Sequence, residues 1–86
     1  MTKPHVHASH PAIIKRLKRA DGHLRSVIDM IEAGKPCVDV AQQLQAVEKA
    51  VANAKRALIH DHLDHCLDEE HSPADRDELK TIARYL

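Results

Sequence analysis

Cys37, His62 and Cys66 are the residues of this chain whose donor types and spacing suit a metal ion. His62 and Cys66 stand four apart in Leu58-Ile59-His60-Asp61-His62-Leu63-Asp64-His65-Cys66, so on a helix they share one face. Cys37 lies 25 residues before His62. Along one continuous helix that is roughly 37 Å at about 1.5 Å per residue, far beyond a metal–ligand bond. An antiparallel second copy of the helix would bring its own Cys37 beside the pair, so the spacing points to a site shared between two copies. Thiolate and imidazole donors suit late first-row metals and Cu(I), and do not select Mg or Ca. Taken singly, Cys37 reads as a small buried hydrophobe and an i,i+4 His/Cys pair as coincidence. The third donor, at the mouth of an antiparallel partner, brings the metal reading level with that alternative.

The other histidines carry less. His5 and His7, near the N-terminus, are candidate further ligands on an arm that folds over the site. His60, His65 and His71 read as solvent-facing, and His23 as a structural histidine with a hydrogen-bond partner. No Ser/His/Asp pattern, phosphate-binding glycine loop or carboxylate pair in an apolar setting is present, so an enzyme is not expected. Asp61 and Asp64 are the nominees for a general base beside a catalytic zinc, and nothing supports either.

Three helices are expected to position these donors. Met1 to His10 has no apolar periodicity and reads as a mobile arm, leaving 11–86 as a single domain. Helix 1 opens near Pro11, a residue favoured at the first helical position, with Ser9 or His10 before it. Ile13, Leu17, Ala20, Leu24, Val27 or Ile28, and Ile31 form its apolar stripe. Gly34-Lys35-Pro36 ends it, Gly supplying a left-handed cap and Pro preventing continuation. Helix 2 runs from about Cys37 to Leu67 without Gly or Pro. Cys37, Leu44, Val51 and Leu58 recur every seven residues, with Val40, Val47 and Ala54 between them, a heptad seam. A helix of about 45 Å is longer than so small a chain can cover alone, and the surplus seam implies a partner. Its N-terminus places Cys37 at the positive end of a helix dipole, which suits a thiolate ligand. Ser72-Pro73-Ala74-Asp75 caps and opens helix 3, which is expected to reach about Tyr85 and carries Leu79, Ile82 and Leu86.

Composition sets the bounds. Eighty-six residues make one domain at most. A chain of this length buries only about 60–65% of its unfolded surface and gains from oligomerisation. With one aromatic residue, Tyr85, and two glycines, the core must be aliphatic and the fold all-α. Net charge is zero, but its distribution is not even. Residues 1–35 carry seven Lys/Arg against three Asp/Glu, and residues 60–80 carry two against eight. The first stretch suits phosphate and the second does not. Asp21 is an acid within the basic stretch and is unsuited to a phosphate contact. No signal peptide or membrane span is read, and two thiols fit a reducing compartment, so a cytoplasmic protein is expected.

Arg16-Leu17-Lys18 … Gly22-His23-Leu24, Cys37-Val38-Asp39-Val40, Gln43-Leu44-Gln45-Ala46-Val47 and the Leu58–Cys66 run together resemble the CsoR/RcnR family of bacterial metal-sensing repressors. The likeness extends from residue 12 to about 86. It implies a three-helix protomer, antiparallel four-helix-bundle dimers that share the metal site, and a disc-shaped dimer of dimers. It also implies operator binding without a helix-turn-helix, released when the effector binds. Cys37, His62 and Cys66 match the family's Cys-His-Cys ligands, and His5 stands where its nickel and cobalt sensors place an N-terminal histidine, with His7 as the alternative. The arm and the His-rich segment are similar to regulators of the DmeR and NreA type. Glu78 is implied as a partner that orients His62.

Residues and resemblance together lead to a cytoplasmic homotetramer that represses a metal-efflux gene and responds to Ni(II), with Co(II) as a second effector. Lys15, Arg16, Lys18, Arg19, Lys55 and Arg56 are the expected contacts to operator DNA; no membrane and no small organic substrate are expected. One alternative keeps the regulator and makes the effector Cu(I), for which two thiols and an imidazole suffice. Another, of a different class, is a helical metal-buffering or chaperone protein that never binds DNA; the basic cluster of helix 1 speaks against it.

Overall fold

Gly34 turns the chain back on itself. It has φ 71°, and among the described residues it alone has a positive φ. In the computed structural model, which describes residues 10–67 and 73–86 with side chains for 10–64 and 76–86, three helices appear. They are α1 (His10–Glu32), α2 (Cys37–Leu67) and α3 (Pro73–Ala83). His5, His7, His71 and the Ser72 cap lie outside the described residues, as do the side chains of His65 and Cys66. No strand occurs among the described residues.

The α1–α2 turn is built as the sequence suggests. Gly34 N–H donates to the Ile31 carbonyl at 3.1 Å and Lys35 N–H to the Met30 carbonyl at 3.0 Å. These two bonds make a Schellman cap, which satisfies carbonyls the helix end would leave bare and needs a left-handed residue where Gly34 stands. Val40 N–H then donates to the Pro36 carbonyl at 3.1 Å, making Pro36 the cap of α2 and Cys37 its first residue.

After the turn the two helices run antiparallel, and each contributes an inner series stepped by seven. Ile13, Ala20 and Val27 of α1 are buried, as are Val40, Val47 and Ala54 of α2. Val27, Val40 and Val47 form the core cluster, with Met30 packed against it. Burying a valine contributes on the order of 1.5–3 kcal/mol, so these few small side chains hold the hairpin with modest margin. Ile59, 2% exposed, carries the core on along α2. α3 packs on α2 and not on α1 among the described residues.

The remaining members of the apolar stripes stay in solvent. Leu17, Leu24, Ile28 and Ile31 of α1 are exposed, and so are Leu44, Val51 and Leu58 of α2. The helix boundaries differ slightly from those read in the sequence. α1 takes in His10 and begins one residue before Pro11, so His10 is not its cap. α3 stops at Ala83, short of Tyr85. The chain finishes in tight turns, with Arg84 N–H to Thr81 O (3.2 Å), Tyr85 N–H to Ile82 O (3.0 Å) and Leu86 N–H to Ala83 O (3.3 Å). Such i→i+3 bonds tighten a helix end without prolonging it.

Candidate metal centre and nucleic-acid interface

The Cys37 thiol is free and exposed in the protomer, so it is not part of the protomer's own core. It lies at an apolar recess beside the turn, with Ile31, Val40, Ala41 and Leu44 around it. His62 sits near the other end of α2, its side chain 15% exposed, with Nε2 3.8 Å from Oε1 of Glu78 on α3. That separation is too long for a hydrogen bond and short enough for charge attraction once the imidazole is protonated. Cys66 follows one turn later on α2, four residues along the same helix.

Within one chain these donors do not converge. Among the described residues no three His, Cys, Asp or Glu side chains come together as an ion site. The cause is the unbroken helix between them, which holds Cys37 and His62 roughly 37 Å apart. By helical register, Cys37, Leu44, Val51, Leu58 and His62 follow one face of α2. The donors therefore share a flank with the exposed apolar series. An exposed thiol and a largely buried imidazole form a soft donor set, which fits a thiophilic or borderline ion and not Mg or Ca.

The opposite flank of the hairpin is polar. His23 spans the two helices, its Nε2 donating to Oε1 of Gln43 at 2.6 Å, which is the satisfied role read for it in the sequence. Arg16, Arg19, Ala20 and His23 of α1 face Ala50 and Asn53 of α2 across an open recess. Arg56 Nη1 donates to Asn53 Oδ1 at 3.3 Å and so stands at the edge of that recess. Lys15, Lys18 and Lys55 are exposed but do not line it. Asp21 pairs with Arg25 at 3.3 Å, an exposed i,i+4 contact. His60 is exposed, as expected.

The pattern of the family described as metal-sensitive transcriptional repressor matches residues 9–85. The chain belongs to this family. It is a family of transcriptional repressors, not of enzymes. The copper-sensing transcriptional repressor CsoR of Mycobacterium ulcerans is 46% identical over 55 residues, which are 64% of this chain and 47% of that protein. The protein of the same name from Bacillus subtilis is 40% identical over 55 residues, 64% of this chain and 54% of its own length. The matched stretch thus spans about half the length of the curated relatives. Among solved structures, the nickel-responsive transcriptional regulator InrS superposes with a TM-score of 0.78 at 30% identity, covering 98% of this chain and 100% of that one. The resemblance read from the Arg16–Leu24, Cys37–Val40 and Leu58–Cys66 segments therefore holds for the family. No described helix is long and apolar enough to cross a membrane.

Two partners on the polar flank were not read from the sequence: Gln43, which holds His23, and Asn53, which holds Arg56. A signal for the first was present. His23 and Gln43 each lie ten residues from Ala33, so a hairpin folded at Ala33–Gly34 sets them side by side.

Proposed function

We propose that this chain is a metal-responsive repressor that holds operator DNA in its apo form and releases it on binding Ni(II), with Co(II) as a second effector, thereby derepressing a metal-efflux gene in a reducing cytoplasm. The observation that carries the reading is the family match across residues 9–85. The separation of Cys37 and His62 along α2 supports a site completed by a second, antiparallel copy. Cys37 of one copy would join His62 and Cys66 of the other, with His5 or His7 of the arm, residues 1–10, closing the set. Glu78, 3.8 Å from His62 Nε2, would orient that imidazole once the pair closes to hydrogen-bond distance, as the second nitrogen of a ligating histidine requires. When bound, the metal supplies a crosslink between the two copies, and two such pairs would form the disc-shaped tetramer.

On the DNA side, Lys15, Arg16, Lys18, Arg19, Lys55 and Arg56 would recur four times across the assembly and neutralise backbone phosphates. Affinity built this way falls steeply with salt and reads sequence weakly. Coupling between metal and DNA sites is typically about 1–3 kcal/mol, and efficient derepression needs the upper end of that range.

The choice of nickel rests on the histidines of the arm and on the likeness to the nickel-responsive regulator InrS across its whole length. Cu(I) is the second reading, favoured by the relatives of 40% and 46% identity, which are named copper-sensing. Anaerobic titration of reduced protein with Ni(II), Co(II) and Cu(I) against competing chelators separates the two. The nickel reading expects a tight Ni(II) complex with thiolate charge-transfer bands, lost in Cys37→Ser and altered in His5→Ala. Tight Cu(I) binding indifferent to His5, beside weak Ni(II) binding, would replace it with the copper reading.

A further inference from the structure

His23 shares a recess with two guanidinium groups. Arg16 and Arg19 stand beside it on α1, and Ala50 and Asn53 of α2 form the far wall. Among the described residues no carboxylate lines this recess. Asp21, the nearest acid in sequence, is engaged with Arg25. The α2 group that meets His23 is Gln43, which is uncharged; Ala50 and Asn53 line the recess further along α2, with Arg56 tied behind Asn53. α3 does not pack on α1 among the described residues and so brings no charge to it. A cleft walled by guanidinium, imidazole and amide groups, without an acid, is suited to a phosphate oxygen.

The bond to Gln43 decides what the imidazole can do there. The amide oxygen of Gln43 only accepts, so Nε2 must carry the proton. In the neutral ring Nδ1 is then a bare acceptor, and a phosphate diester offers only acceptors. The two meet favourably only when Nδ1 is protonated as well. We propose that His23 is a phosphate-contacting residue, held by Gln43, which together with Arg16 and Arg19 grips one backbone phosphate of duplex DNA and takes up a proton from solvent as it does so. The inference rests on the repressor reading and adds to it a residue and a proton. Protonation adds a positive charge to the ring, so the contact strengthens as pH falls.

The test uses apo protein and a fluorescein-labelled duplex from the region upstream of its own gene. Anisotropy is followed at pH 6 and pH 8 over a series of salt concentrations. Wild type is expected to gain about tenfold more affinity from pH 8 to pH 6 than His23→Gln does, since the variant cannot acquire the charge. Its salt slope should also steepen at pH 6, by about 0.9 for each His23 engaged. His23→Arg, whose charge is fixed, should bind tightly at both pH values and serves if His23→Gln misfolds by circular dichroism. A pH profile in His23→Gln or His23→Arg parallel to wild type, which carries seven other histidines, overturns the proposal. Failure of wild type to bind the duplex at either pH would sink the repressor reading itself, a result distinct from the loss of His23 alone.

Discussion

The hairpin carries two apolar series with the same seven-residue step, and they differ in side-chain size. The inner one, Ile13, Ala20 and Val27 against Val40, Val47 and Ala54, is mostly small and is buried within the protomer. The outer one, Leu17, Leu24 and Ile31 with Leu44, Val51 and Leu58, is larger and exposed, Leu44 at 42% and Val51 at 45%. Small residues inside let α1 and α2 approach closely. Large residues outside leave most of the hydrophobic stabilisation unrealised until something covers them, and each fully buried Leu or Ile would add about 1.5–3 kcal/mol. The candidate metal donors Cys37 and His62 lie on the outer flank and the basic recess on the other, so a cover over the outer series leaves the basic recess open.

Charging the outer series should have the largest effect. Leu44→Asp is expected to reduce the assembly to single chains at micromolar concentration, read by light scattering after size exclusion, and to abolish the dependence of thermal unfolding on protein concentration. An unchanged mass would show that this series is not where copies meet. Truncating the inner series is the intermediate case. Val27→Ala should cost about 1–3 kcal/mol in urea unfolding, through lost burial and a small cavity, while the mass in solution stays that of wild type. Loss of assembly in that variant would erase the distinction between the two series. The smallest effect is expected at the turn that sets both registers. Gly34→Ala meets open space but must hold φ near 71°, a strain of about 1 kcal/mol. No loss of stability there would mean that the turn relaxes without moving either series.

Much of this was legible in the sequence because the physics was local. The seven-residue step, the Gly34-Lys35-Pro36 stop and the Pro73 start gave three helices, and α2 runs from Cys37 to Leu67 as read. Two ends shifted: His10 joined α1, and Tyr85 fell into a closing turn where neither Gly nor Pro follows Ala83 to fix the boundary. Periodicity gave the faces but not their assignment, because both series satisfy it equally. Which one closes inside the protomer follows from side-chain size and helix spacing, neither of which a pattern of apolar residues encodes. At the site, the impossibility of joining Cys37 to His62 within one chain followed from helix rise alone. Gln43 and Asn53 escaped because an amide has no periodic signature and becomes informative only once its neighbour across the hairpin is known.

The unbroken length of α2 has a genetic consequence. Each copy of the helix offers Cys37 at one end and His62 at the other, so under the proposed function an antiparallel pair would have two sites, each drawing on both chains. A Cys37→Ser chain alone would then spoil every site, and so would a His62→Ala chain alone. Produced together, the two defective alleles would complement: in a mixed pair one site takes both lesions and the other takes none. A cell carrying both alleles would thus recover part of its metal response, and a response that stayed absent in mixed pairs would mean that the donors do not exchange between chains.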